Sequence, residues 1–160
     1  VYDSKDVAIL TYMLENAVNY GTGQSAKVFK DGKLIPMAGK TGTTSDYVSA
    51  WFTGYTPTLA TVVYVGNDDN KSMGPGMTGG AAAAPIWKNY MQAVVDLPNY
   101  NVGVFEFIDD YITRKDLTTR DIDLQIGLLD RDGVNKRTAL FKAGTEPVES
   151  EGKFRNGITF

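Results

Sequence analysis

The stretch AGKTGTTSDYVSAWFTGYTP, residues 38–57, decides how this chain is read. Gly39, Lys40, Thr41 and Gly42 offer glycines, an ammonium and a hydroxyl, which could grip a phosphate or line one rim of a cleft. A phosphate-binding loop needs G-x-x-x-x-G-K-S/T between a strand and a helix, because loop amides and the helix N-terminus meet the phosphates together. That pattern requires a glycine at position 34, where the chain has Leu34. The residues after Gly42 read as turn and then strand rather than as a helix start, so the second requirement also fails. A plain strand with bulge glycines at 39 and 42 and a solvated Lys40 remains open on this triplet alone.

Working outward, Val48 to Tyr55 is rich in β-branched and aromatic residues, and Leu59 to Val65 is a nearly continuous apolar run of strand length. The short YTPT connection, with Pro57 in it, makes the two antiparallel neighbours. The second strand is apolar on both faces, which predicts that both are covered. Upstream, Asp31-Gly32 inside KDGK predicts a tight hairpin. Before it, a helix is expected from Asp3 or Ser4, with its apolar stripe at Val7, Leu10, Leu14, Ala17 and Val18 and its stop at Gly21. Downstream, NDDNKSMGPGMTGG (67–80) reads as loop. Pro85 then opens a helix with the stripe Ile86/Trp87, Tyr90/Met91 and Val94/Val95, ending by Pro98. Beyond Asn99, the pieces VFEFI, DIDLQIGLL and TALF, separated by charge and turn residues, read as a small, mostly β tail. The expected fold class is α/β (α+β): an antiparallel sheet flanked by helices in residues 1–98, followed by a small β-rich tail in 99–160.

At 160 residues with 42% hydrophobic and 22% charged side chains, the chain sits in the ordinary globular range. A net charge of −3 and no run of Lys/Arg exclude the electrostatic footprint of a nucleic-acid binder. There is no cysteine and no histidine, which removes disulfides, thiolate metal sites, the commonest zinc ligand and the commonest general base. Proton transfer must fall to Lys, Tyr or a carboxylate, and no metal or other cofactor is expected. No apolar run approaches the ~20 residues that span a bilayer. The opening VYDSKDVAIL, without an initiator Met and entering a helix at once, reads as a segment of a longer polypeptide.

The flanks of the Lys-Thr-Gly triplet carry it past the bland reading. AGKTGTTSDYVSAWFTGYTPTLATVVYVGND resembles the Lys-Thr-Gly strand and its neighbours in the penicillin-binding transpeptidases, whose other elements are S-x-x-K and S-x-N. MLENAVNYGTGQSA is similar to the family's helix and Gly-Thr-Gly turn, and MTGGAAAAPIWKNYM to the start of its last large helix. IDLQIGLL and FKAGTEP look like the tail of the bifunctional, class A members, which also carry a glycosyltransferase domain. The resemblance covers about residues 5 to 147 and points to the C-terminal part of a transpeptidase domain.

What it implies is serine acyl transfer on D-Ala-D-Ala stem peptides of peptidoglycan, with lysines moving protons, and acylation by β-lactam antibiotics. By resemblance, Lys40 places positive charge near the substrate carboxylate and a relay serine, while Thr41, Thr43 and Thr44 lie in the substrate-binding wall. Gly42 lets a ligand lie against the strand edge, and the amide of Thr43 matches the second oxyanion-hole donor. The sequence departs from the family pattern at Ser49, where Asp is frequent, while Trp51 and Phe52 read as packing residues.

The nucleophile is missing. The residues three after Ser4, Ser25, Ser45, Ser49 and Ser72 are Val7, Val28, Val48, Phe52 and Pro75. Only Ser150, in SEGK, has a lysine at that spacing, Lys153. It lies in a polar tail and follows the Lys-Thr-Gly element, whereas a nucleophile needs a buried helix start where its lysine is desolvated. No serine is followed by Asn two residues on. The expected partner is therefore an N-terminal part of the same domain supplying Ser-x-x-Lys and Ser-x-Asn, in a membrane-anchored parent at the extracytoplasmic face of the bacterial membrane. The chain alone is expected to be inactive. The alternative is a non-catalytic module of the same fold that binds wall peptide or a partner.

Overall fold

A computed structural model describes residues 2–125, 127–129 and 136–147. The first helix, α1 (Ser4–Asn19), begins where expected. The Asp3 carboxylate accepts from the amide of Lys5 at 2.8 Å and its carbonyl accepts from Val7 at 3.1 Å, so Asp3 is the cap. It ends because the Ala17 carbonyl accepts from both Gly21 and Gly23, at 3.1 and 3.0 Å. A Cβ at 21 would stand 2.8 Å from that oxygen, which only glycine avoids. The buried stripe, however, is Ala8, Thr11 and Val18, while Val7 and Leu10 of the anticipated stripe are exposed together with Met13. Apolar periodicity finds a helix, but where both stripes repeat at three to four residues it does not say which one meets the core.

The Asp31-Gly32 hairpin forms between β1 (Phe29–Lys30) and β2 (Lys33–Leu34), with both turn residues left-handed at φ 51° and 75°. The main sheet follows: β3 (Ala38–Thr43), β4 (Ser49–Tyr55) and β5 (Ala60–Gly66), antiparallel in the order β3-β4-β5. The register pairs Gly42 with Trp51 and Trp51 with Tyr64, so these three share a face. The next pairs in line, Lys40 with Thr53 and Thr53 with Val62, lie on that face too.

The opposite face is covered by α2 (Ala84–Val95), which Pro85 opens as expected. Phe52 and Trp87 are fully buried there, edge to face at 5.2 Å, and the Trp87 indole donates to the Thr61 carbonyl at 3.0 Å. Burying each ring contributes on the order of 2–3 kcal/mol. Val18, Val28, Met37, Met91 and Val95 complete this core, with Val63 and Val65 packed against it.

Four expectations change here. Of the paired stripe on α2, Trp87, Met91 and Val95 are buried, while Ile86 and Tyr90 stand half exposed. The second face of β5 is open, with Val62 and Tyr64 about half exposed, because α2 covers one side of the sheet only. Trp51 lies on that open face, 41% exposed and tilted against Tyr64 at 4.7 Å, so of the Trp51/Phe52 pair only Phe52 is core. The loop is also shorter than read, since Gly79–Ala83 forms a π-helical turn leading into α2.

The chain divides into two compact units, Leu10–Phe105, which contains the sheet, and Val1–Ile9 with Glu106–Phe160. In the second, VFEFI enters a helix, α3 (Glu106–Thr113), because Ile108, Tyr111 and Ile112 recur at helical spacing. DIDL and TALF enter the antiparallel pair β6 (Leu117–Asp123) and β7 (Lys136–Lys142). Ile108, Leu117 and Leu140 are buried, and Lys142 pairs with Asp6 at 2.6 Å. Among the described residues no helix is long and apolar enough to cross a membrane.

Candidate active-site wall

The motif strand β3 is an edge of its sheet among the described residues. Thr44 donates its amide to the Ser49 carbonyl at 3.0 Å, which makes Thr44 and Ser49 a hydrogen-bonded pair of the antiparallel ladder. Alternation along that ladder then turns the backbone groups of Thr43 and Thr41 away from β4, toward the open edge. The Lys40 ammonium agrees, reaching the outward Thr41 carbonyl at 3.0 Å and the Thr41 hydroxyl at 3.3 Å. Lys40 itself is exposed, on the uncovered face with Trp51 and Val62.

The other side chains are braced. Thr41 shares a hydrogen bond of 2.7 Å with Thr22, from the Gly-Thr-Gly turn after α1. Thr43 accepts from the Gly79 amide at 3.0 Å, tying the edge strand to the π-helical turn. A Cβ at 79 would fall 2.4 Å from the Trp51 carbonyl oxygen and 2.5 Å from that of Gly42, so glycine is what lets this turn lie directly on the sheet backbone. Thr44 directs its hydroxyl to Ser49: it accepts from the buried Ser49 amide at 2.8 Å and lies 3.3 Å from the Ser49 carbonyl. The Ser49 hydroxyl in turn accepts from the Trp51 indole at 3.3 Å. Ser49, where the resemblance led to an expectation of Asp, thus links the neighbouring side chains of Thr44 and Trp51.

Beyond Thr43 the chain makes a tight turn, Ser45–Tyr47, in which Asp46 and Tyr47 are both left-handed, at φ 58° and 55°. Such a conformation costs on the order of 1–3 kcal/mol for a side chain as bulky as Tyr. Two bonds from the following loop hold it: the Ser72 hydroxyl donates to the Asp46 carbonyl, and the Met73 amide to the Tyr47 carbonyl at 2.9 Å. Between these loops opens a cleft of about 690 Å³, lined by residues 43–47 on one side and Ser72, Pro75 and Thr78 on the other. Nearby, Lys71 sits 2.6 Å from Asp69 and, with its own backbone amide, holds that carboxyl below its ordinary value of 3.8.

Lys40, Thr41, Gly42, Thr43 and Thr44 therefore run along one strand end, with Thr43 and Thr44 at the mouth of the cleft. The contributions of Thr22, Gly79, Asp46 and Ser72 were not singled out from sequence. Each acts through a contact made across 19 or more residues, apart from the turn at Asp46. The Ser150–Lys153 pair lies outside the described residues. No cluster of His, Cys, Asp or Glu able to hold a metal occurs among the described residues.

The chain is similar to penicillin-binding protein 1A of Aquifex aeolicus, 39% identical over 117 residues, which cover 68% of this chain and 15% of that protein. Against penicillin-binding protein 1A of Neisseria gonorrhoeae it is 40% identical over 90 residues, 56% of this chain and 11% of that one. The fold is similar to the crystal structure of penicillin-binding protein 1A from Haemophilus influenzae, with a TM-score of 0.64 and 29% identity over 94% of this chain and 22% of that chain. The chain thus spans a small part of the length of these relatives, all of them consistent with the class A type. The family profile described as penicillin binding protein transpeptidase domain matches residues 1–92. With that match over more than half of its length, on a sheet whose Lys-Thr-Gly strand is an edge among the described residues, the chain belongs to the penicillin-binding protein transpeptidase domain family.

Proposed function

We propose that this chain is one wall of a serine D,D-transpeptidase that cross-links peptidoglycan stem peptides and is acylated by β-lactams. The observation that carries the reading is the Thr43 amide turned to a strand edge that is unpaired among the described residues, three residues along the strand from Lys40. An extended substrate can add to that edge, with Gly42 allowing close approach and Thr43 donating to the oxyanion that develops at the scissile carbonyl. Lys40 supplies positive charge for the substrate carboxylate and for a relay serine. Thr41 and Thr43 present hydroxyls already oriented by Thr22 and Gly79, and Thr44 shapes the strand end.

The nucleophile and its lysine come from an N-terminal part of the same domain, with residues 1–98 completing the transpeptidase and 99–160 forming its tail. The parent, carrying a glycosyltransferase domain upstream, works at the extracytoplasmic face of the membrane. Covalent labelling with a fluorescent penicillin, read after denaturing electrophoresis, tests this. The chain alone takes no label, the polypeptide that includes the upstream Ser-x-x-Lys segment does, and Lys40→Ala slows labelling of the latter roughly 100-fold or more. A denaturation-resistant band on the chain alone, or full labelling of Lys40→Ala, sinks the proposal.

A further inference from the structure

The part of the cleft beyond Thr44 has no role in gripping the donor peptide, yet the cleft opens at the strand end where the acyl group would sit. Its lining is composed of threonines, serines, a proline, Tyr47 and Asp46, so its one side chain charged at neutral pH is a carboxylate. That carboxylate makes no hydrogen bond or ion pair among the described residues, whereas the backbone carbonyl of the same residue is fixed by Ser72. The neighbouring cation of the facing loop, Lys71, is engaged by Asp69.

We propose that Asp46 determines acceptor specificity, drawing into this cleft an acceptor that carries a primary ammonium. The inference rests on the transpeptidase reading above. Asp46 follows Thr43 by three residues, so their Cα atoms are at most about 11 Å apart. Thr43 and the carboxylate thus line one cleft, and an acceptor concentrated there has a short path to the carbonyl polarised by the Thr43 amide. The two left-handed residues and their two bonds to the facing loop keep the carboxylate on a fixed turn rather than a wandering loop. In the transfer itself the ammonium first releases one proton to solvent. The amine nitrogen then bonds to the acyl carbon, the ester bond to the serine oxygen breaks, and a second nitrogen proton ends on that oxygen. Asp46 gives up no proton; it concentrates and orients the cation before attack.

The test uses the full-length polypeptide that carries this chain, acylated by a thioester or ester donor, with transfer to two acceptors measured against hydrolysis. One acceptor is Nα-acetyl-lysine amide, cationic at neutral pH, and the other is methanol, which is neutral. In the unmodified protein the half-saturating concentration of the lysine amide should rise as salt goes from 0.1 M to 1 M, where the screening length falls from about 10 Å to about 3 Å. That of methanol should stay constant. In Asp46→Asn, a residue that also accepts the left-handed turn, the half-saturating lysine amide concentration should rise about twofold to fivefold at low salt, the range of a solvated ion pair. Its salt dependence should vanish. Equal salt slopes for the two acceptors in the unmodified protein, or an unchanged slope in Asp46→Asn, overturns the inference. A parent that takes no label from a fluorescent penicillin fails the functional reading instead, so the two failures are distinguishable.

Discussion

Replacing Gly79, in the turn that lies on the sheet, by alanine is expected to be a strongly damaging single-methyl change. The added Cβ would lie 2.4 Å from the Trp51 carbonyl oxygen, 2.5 Å from that of Gly42 and 3.0 Å from the Gly42 amide nitrogen. All three are backbone atoms inside a paired ladder, so none can yield; the π-helical turn must instead lift by about 1 Å to reach the 3.4 Å of an ordinary contact. That shift also breaks the 3.0 Å bond from Gly79 to Thr43. Overpacking of this kind costs typically 1–3 kcal/mol and the lost hydrogen bond about 1 kcal/mol, together roughly 2–4 kcal/mol. At about 4 °C per kcal/mol, the melting temperature should fall by roughly 8–16 °C. Gly42→Ala is the control: its Cβ meets the Trp51 Cβ at 3.2 Å and ring atoms at 3.8 and 3.9 Å, side-chain atoms on the half-exposed face that need to give by only a few tenths of an ångström. Its cost should stay below about 1 kcal/mol. Thermal unfolding followed by near-ultraviolet circular dichroism ranks the two. If Gly79→Ala melts within about 3 °C of the parent, or Gly42→Ala loses as much as Gly79→Ala, the packing argument is wrong.

Thr44→Val keeps shape but leaves the buried Ser49 amide without its 2.8 Å acceptor, which should cost about 1–3 kcal/mol in urea unfolding at unchanged slope, and Thr44→Ser should restore most of it. On β5, Val62→Lys on the open face should change stability by less than about 0.5 kcal/mol, whereas Val63→Lys, pointing at the α2 core, should prevent folding. Equal effects of the two would mean that the second face of the strand is covered after all. Asp121 has its carboxyl held below the ordinary 3.8, first by its hydrogen bond with Lys136 and then by Thr138. A depressed carboxyl stabilises above its unfolded value and loses that contribution as pH falls through the folded one. Acid titration of Asp121→Asn should therefore show a shallower loss of stability below about pH 4 than the parent, and identical curves would dismiss the pair.

Much of the fold was legible because the signals were local. The alternating, β-branched run around Phe52, the Asp31-Gly32 pair and Pro85 each dictate a backbone conformation within a few residues. Illegible were the faces. Val7 and Val18, or Tyr90 and Met91, look alike in a periodic pattern, and only neighbours distant in sequence decide which of them is buried. The wall of the site divides the same way: Lys40 to Thr44 stand out by residue type and flanks, while Thr22 and Gly79 acquire meaning only when a turn and a π-helical segment reach β3.

By itself, then, the sequence settled the order of helices and strands as far as α2, the absence of histidine and cysteine chemistry, and the family to which the Lys-Thr-Gly strand belongs. The tertiary structure decided that this strand, expected at a border by resemblance, is an edge among the described residues, that the Thr43 amide turns outward, and that a carboxylate at 46 lines a cleft. Propensity and motif act over a few residues, but an edge, an orientation or a cleft exists only once distant segments have packed, because each is defined by what does or does not lie beside it.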